Sequence, residues 1–484
     1  MSILVIDIGT SGLRSAVLDP DGTVTHEQYR EILPDSPASG LVEFDATAMA
    51  DAALEVASAV RAAAGPVAAV GIASQRASTI VWERATGRPV APGIGWQDLR
   101  TIGECLVLGA EGFRLAPNLS ATKLLAILDQ VDPDRARAEA GELCFGTVDS
   151  WIAWHLTGGS RHVTDLSNAA VTGLLRGDAT AWNDRLLERL RVPESMLPEI
   201  VDSSGTCGDA TAIEGAPPLA GIAGDQQASL IGQGCVRPGP AKITFGTGGM
   251  LDTVIGPERP RFDTRGEGGT FPIVAWRVGD ETVWGVEAIM LSAGTNVEWL
   301  RDDLGLIATA EESHEVAASV ESTDGVVYVP ALLGLGTPNW DYGARGTLLG
   351  LTRGTDRRHV VRAVLEGVAQ RGTDLVEAAE ADAGTAIPVL RIDGGMSRNP
   401  TFVQALADAA QRPVEVSPVV EATTLGAGYL AAMAVGELAG WDDIEASWRP
   451  AAAVEPGVPL DREQWRRAVG RAGRWFDELS AIDF

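Results

Sequence analysis

The strongest constraint in this sequence is a hairpin that occurs twice. Residues 3–18 (ILVIDIGTSGLRSAVL) read as an apolar, β-branched strand, a Gly-Thr-Ser-Gly turn and a second strand. Residues 241–255 (AKITFGTGGMLDTVI) give the same succession with a Gly-Thr-Gly turn. Turn chemistry between two half-buried strands is the ordinary signature of a β-hairpin. A chain that begins each half with the same unit folds most simply as two similar halves, each around its own sheet. Val236-Arg237-Pro238-Gly239-Pro240 makes a suitable linker, so the boundary is placed there, giving domains 1–237 and 238–484. At roughly 100–200 residues per domain, 484 residues leave room for both. Coincidence is the competing reading, because short glycine turns recur by chance in a chain with 56 glycines.

The rest of the pattern is α/β. After the first hairpin come a Pro20-Asp21-Gly22 turn and a third strand over 23–31. Met49, Ala53, Val56 and Val60 then step by four, three and four, which puts them on one helical face, and Gly65 stands at the C-cap. A strand follows at 67–73. In the second half the spacing predicts helices over 292–304 (Val297, Leu300 and Leu304 on one side), 357–383, 400–411 and 423–435, with strands at 389–393 and 414–416. Strands alternating with helices imply sheets covered on both faces.

Charge excludes several functions. With 38 basic and 66 acidic residues the net charge is −28, a surface that repels nucleic acid and anionic lipid. Only Lys123 and Lys242 are lysines, so a phosphate site must rely on arginine, backbone amides, helix termini or a metal. The four cysteines form no CxxC pair, which argues against zinc and fits a reducing compartment. The start MSILVIDIGTSG has no basic n-region, and no run of about 18 apolar residues occurs, so neither a signal peptide nor a membrane span is expected. The reading is a soluble, cytoplasmic protein.

Four segments can carry chemistry. Asp7 ends a strand just before a turn with two glycines, where amides could form an anion nest, Thr10 or Ser11 could donate, and Asp7 could hold magnesium beside phosphates. Gly246-Thr247-Gly248-Gly249 repeats the device. Asp225, in GDQQ, is either a helix cap or a general base that takes a hydroxyl proton during phosphoryl transfer. Gly394-Gly395 and Asn399-Pro400 end a strand and open a helix, with Asn399 at N-cap and Pro400 at N1. Gly426-Ala427-Gly428-Tyr429-Leu430-Ala431 matches a dinucleotide fingerprint by composition only, since a helical turn rather than a strand precedes it.

In order, DIGTSGLR (7–14), SQRASTIVWE (74–83), GWQDLRT (95–101), FGTVDSWIAWHLTGG (145–159), IAGDQQASLIGQ (222–233), TFGTGG (244–249) and DGGMSRNP (393–400) resemble the FGGY carbohydrate kinases, most nearly their glycerol-kinase branch. The resemblance spans nearly the whole chain. It implies two actin-like, ribonuclease-H-like α/β domains with ATP and substrate in the cleft between them, and phosphorylation of a terminal hydroxyl of a small polyol or sugar. It implies Asp225 as catalytic base, with Asp7 and Asp225 on the magnesium side. Thr10, Ser11, Arg14, Gly246 and Thr247 would face the phosphates, and Gly294, Gly394, Gly395 and Asn399 the adenosine. Arg76, Trp96, Asn118, Asp225 and Gln226 would hold the polyol. A cytoplasmic homo-oligomer, a dimer, goes with it.

Three substrate positions depart from the pattern. Ala77 stands where the branch has glutamate, Asn118 where it has tyrosine, and Met250 where it has an aromatic residue. Sites built to hydrogen-bond a hydroxyl discriminate by roughly 10⁴–10⁵, so losing that carboxylate points to a wider pocket and to a tetritol or ketopentose beside glycerol itself. The loop at 212–218 lacks the glycine- and arginine-bearing sequence tied to sugar-bisphosphate control. A non-catalytic ATP- or sugar-binding member of the same fold is the reading from another class, and the presence of Asp225 weighs against it.

Overall fold

Two mixed sheets carry the molecule, and each starts with one of the repeated hairpins. The structure, a computed structural model, describes residues 1–419 and 422–482. In the first half β1 (Ile3–Ile8), β2 (Gly12–Leu18) and β3 (Val24–Glu31) run antiparallel to one another. Helix α1 (Ala46–Ala64) crosses back to β4 (Ala69–Ser74), which pairs parallel to β1. A long excursion then leads to β5 (Ser204–Asp209) and β6 (Pro218–Gly224), and α2 (Asp225–Gly232) leaves the end of β6. The sheet order is β5-β6-β4-β1-β2-β3.

The second half repeats this order. Its strands are β7 (Ala241–Phe245), β8 (Gly249–Gly256), β9 (Phe271–Val278) and β10 (Glu281–Met290). Then come α3 (Arg357–Ala383), β11 (Leu390–Asp393), β12 (Val414–Val416), α4 (Ala422–Ala434) and β13 (Ala452–Val454). The order is β9-β10-β8-β7-β11-β12-β13. Apart from the added strand β9, β13-β12-β11-β7-β8-β10 matches β5-β6-β4-β1-β2-β3 strand for strand. The parallel and antiparallel pairings match as well. The duplicated hairpin is therefore the visible part of a duplicated sheet.

The two halves meet at α2 and α4. Helix α4 packs on α2 so closely that a Cβ on Gly426 would lie 1.8 Å from the Ala228 carbonyl, and one on Gly232 1.9 Å from that of Ala422. The residues that looked like a dinucleotide fingerprint are thus a helix-packing stripe. One apolar cluster joins Ile3 and Val5 of the first sheet, Ala228 and Ile231 of α2, Val254 of the second sheet, and Ala427 and Leu430 of α4. At about 25 cal/mol per Å² of apolar surface buried, such a seam helps to hold the halves together.

One expected element differs. In place of a single α-helix over 292–304, Thr295–Glu298 is one α turn that passes into a π turn, Trp299–Asp303. The wider turn rotates Leu304 off the apolar face, and it lies 43% exposed. Among the described residues, no helix is long and apolar enough to cross a membrane.

Candidate active site

Parallel strands present their carboxyl ends along one sheet edge, where ligands of open α/β sheets bind. In the first sheet Ile8, Ser74 and Gly224 stand level with one another, so Gly9-Thr10-Ser11, Gln75-Arg76 and Asp225 emerge together. In the second, Thr244 pairs with Asp393, so Gly246-Thr247 and Gly394-Gly395 emerge together.

On the first edge Asp7 is 9% exposed, and Arg14 lies opposite it in the hairpin register. Burial, joined by the negative charge of Asp225 and partly offset by Arg14, pushes the Asp7 carboxyl up to about 7. The Arg14 guanidinium also approaches Glu27, with Nε 3.2 Å from Oε1. Trp96 Nε1 donates to the Thr10 hydroxyl at 3.1 Å. Gln75 Nε2 donates to the Gly9 carbonyl, Ser78 Oγ to Gln75 Oε1 and the Trp96 amide to Ser78 Oγ. This ring of bonds fixes the first turn against Trp96. Lys123, fully buried, donates to the carbonyls of Trp96 (3.2 Å) and Asn118 (2.9 Å), so both substrate candidates hang from one ammonium.

Asp225 is the first residue of α2, and Gly224 occupies the cap position. The capping alternative therefore falls: Oδ1 accepts only from the next amide, Gln226 N, at 2.8 Å. Burial raises its pKa, while Arg76, the Gln226 amide and Lys242 pull it back. Arg76 Nε lies 3.4 Å from Asp225 Oδ1, and its Nη2 lies 2.6 Å from Glu287 Oε2 on β10. Gln226 Oε1 accepts from Lys242 Nζ.

On the second edge, the Gly294 amide donates to the Gly246 carbonyl and the Ala293 amide to that of Thr247, both at 2.8 Å. Gly394 has φ +83°, and a Cβ there would stand 2.5 Å from the Phe245 carbonyl. Gly246, Thr247, Gly294 and Gly394 thus form one glycine-lined wall, with Gly395 open beside it. Asn399 caps the helix Pro400–Ala410, accepting from Phe402 N at 3.1 Å, and its Nδ2 donates to Ser313 Oγ at 2.9 Å. The cap was legible, and the amide is already engaged within the fold.

The turn glycines work differently from the expected nest. Gly9, Gly12, Gly246, Gly248 and Gly249 are not among the glycines with positive φ, and the Gly9 amide is spent on the Gly12 carbonyl at 2.9 Å. At Gly12 and Gly248 close approach is the reason instead. A Cβ on Gly12 would fall 2.3 Å from the Tyr29 hydroxyl, and one on Gly248 2.8 Å from the Met290 carbonyl.

Sequence reasoning missed a row of charge beneath the site. Across β12, β11, β7, β8 and β10 the ladder partners are Glu415, Arg391, Lys242, Asp252 and Glu287, and Asp393 stands two residues on from Arg391 on the same face of β11. Lys242 Nζ pairs with Asp252 at 2.8 Å, both fully buried, and Arg391 Nε with Glu415 at 3.1 Å. Gln226 and Ser229 on α2, and the carbonyl of Gln233 just past its end, meet Lys242, Asp393 and Arg391 on this face. The available signal was a charged residue inside each of five short, largely apolar strands.

Comparison with known proteins agrees with this architecture. Residues 2–232 match the model for the N-terminal domain of the FGGY family of carbohydrate kinases, and residues 241–435 the model for its C-terminal domain. A glycerol kinase of Aromatoleum aromaticum is 42% identical over 494 residues, covering 98% of this chain and 99% of that one. A glycerol kinase of Trichlorobacter lovleyi is 44% identical over 497 residues, with 98% and 99% coverage. The crystal structure of Plasmodium falciparum glycerol kinase with ADP superposes with a TM-score of 0.90 at 27% identity, covering 100% and 99% of the two chains. A ligand-bound xylulose kinase from Lactobacillus acidophilus shares the fold, with a TM-score of 0.86 at 21% identity and coverage of 99% and 98%.

Proposed function

The chain belongs to the FGGY family of carbohydrate kinases, ATP-dependent phosphotransferases, and from that premise we propose that it moves the γ-phosphoryl group of ATP onto a terminal hydroxyl of glycerol or a longer polyol. The observation that carries this reading is that two strand edges are tied together beside Asp225, where Arg76 donates to Glu287 and Lys242 to Gln226. One bears Asp7, Arg76 and Asp225, the other the wall of Gly246, Thr247, Gly294 and Gly394. Phosphoryl transfer asks a protein mainly for positioning and charge, plus one carboxylate that orients the attacking oxygen. Asp225 takes that role: it is held at a helix start, its proton affinity is raised by burial, and Arg76 beside it keeps the anion tolerable. The polyol lies between Arg76, Trp96, Asn118 and Gln226. Thr10, Ser11, Arg14, Gly246 and Thr247 face the phosphates, and Gly294, Gly394, Gly395 and Asn399 border the adenosine.

Magnesium fits this donor set. Asp7 is a buried carboxyl whose proton affinity is raised further by the charge of Asp225, an arrangement a divalent cation relieves. Asp7 and Asp225 would hold the ion, which would bear phosphate charge. The residues do the rest: Asp225 accepts the hydroxyl proton, and closure of domains 1–237 and 238–484 excludes water. Relatives about 42–44% identical to this chain over nearly its full length are glycerol kinases, which supports glycerol. Ala77, buried at φ +61°, the exposed Asn118 and the half-buried Met250 support a larger polyol or a ketopentose. We propose a cytoplasmic homodimer as the working form.

Coupled ADP-release assays over glycerol, tetritols, pentitols and ketopentoses test the substrate: strong preference for glycerol removes the enlarged pocket. In the same assay Asp225→Asn should lower turnover by about 10²–10⁴ with the fold intact. A variant that keeps most of its activity removes the base.

A further inference from the structure

We infer that Glu287 is a positioning residue for the polyol: it sets the tilt of Arg76 from the opposite half of the molecule. The inference rests on Asp225 as base and Arg76 as a substrate arm.

Glu287 stands in the middle of β10, 6% exposed, beside Asp252 in the ladder. Lys242 already pairs with Asp252 and Arg391 with Glu415, so the row of two cations and three anions leaves Glu287 without a partner on its own sheet. Burying a carboxylate without compensation is costly. The compensating charge comes from Arg76, which lies 211 residues away in sequence, on the other sheet.

Arg76 is held at three places. Its stem crosses Gly224, where a Cβ would lie 2.7 Å from Cδ. Its Nη2 donates to Glu287 at 2.6 Å, and its Nε faces Asp225 at 3.4 Å. The remaining nitrogen, Nη1, is buried and makes no hydrogen bond within the protein. A guanidinium next to one carboxylate tends to close on it with two parallel N–H groups. Glu287 holds Nη2 away from Asp225, so that closure cannot occur: the base keeps free acceptor capacity, and Nη1 is spent on neither carboxylate. Because Glu287 belongs to the nucleotide-side half, the polyol arm is set only when the two halves are docked.

Steady-state kinetics on the full chain test this, with thermal unfolding beside them. Glu287→Gln should lower kcat/KM for the preferred polyol by about 100-fold. KM for ATP should stay within about twofold and the unfolding temperature within about 3 °C. Glu287→Asp, which keeps the charge at shorter reach, should regain part of the loss. Unchanged polyol kinetics in Glu287→Gln, or a loss shared equally by ATP with a fall in unfolding temperature, overturns the inference. Should glutamine at 287 prevent folding, Arg76→Lys, which keeps one charge but loses the fork, must show the same polyol-selective loss, and an ATP-wide loss overturns it. Asp225→Asn, run in parallel, separates the two ideas. If it is inactive while Glu287→Gln behaves like the parent, only the role of Glu287 has failed. If it stays active, the base assignment has failed.

Discussion

Lys123 shows how far a single side chain can be read. Its rarity was plain in the sequence, as one of two lysines among 38 basic residues, but its burial was not. Desolvation draws its ammonium down to about 7, with Asp98 opposing, and its two acceptors are the carbonyls of Trp96 and Asn118. Lys123→Met keeps the length and removes a buried charge, so the unfolding temperature should hold or rise. KM for the polyol should increase several-fold while KM for ATP stays put. Equal changes in both constants would refute the role as an anchor. The residues legible beforehand, among them Asp7, Arg76 and Asp225, lie in motifs whose neighbours are turns and strand ends. Asp252, Glu287 and Arg391 were illegible because a charge within a short strand looks the same whether its face meets water or another half of the chain.

At the scale of elements, periodicity served the long helix well: residues 357–383 form α3 from end to end. It also marked 423–435 as helical, against the fingerprint match, and α4 is a helix. What spacing could not convey is the purpose of the small residues in α4, because close approach depends on a partner distant in sequence. Gly426→Ala would drive a methyl group into the Ala228 carbonyl at 1.8 Å. Overpacking of this kind costs about 1–3 kcal/mol, and the backbone target offers no rotamer escape. The denaturant midpoint should fall accordingly, and an unchanged midpoint would mean that α2 and α4 are not in rigid contact. The helix expected over 292–304 failed for a similar reason: nothing in the repeat of Val297 and Leu300 announces the π turn that follows.

For the whole molecule, one pair of matching hairpins foretold a second sheet with the strand pairing of the first, although the outer strand β5 precedes β6 in the chain while β13 follows β12. The shared seam stayed hidden, because helix α4 from the later half packs against α2 of the earlier one. The hairpins also differ where it matters. Asp7-Ile8-Gly9-Thr10 lines up with Thr244-Phe245-Gly246-Thr247, so the carboxylate belongs to one sheet alone, and an inherited symmetry has become a division of labour. The two lysines add a last consequence. Both are 0% exposed, so the folded exterior displays guanidinium groups but no ε-amine. Amine-acylating reagents should leave a single tag, at the α-amino group, on the native protein, and two more should appear by intact mass only in denaturant. Such an exterior offers a carbonyl compound no side-chain primary amine with which to form an imine.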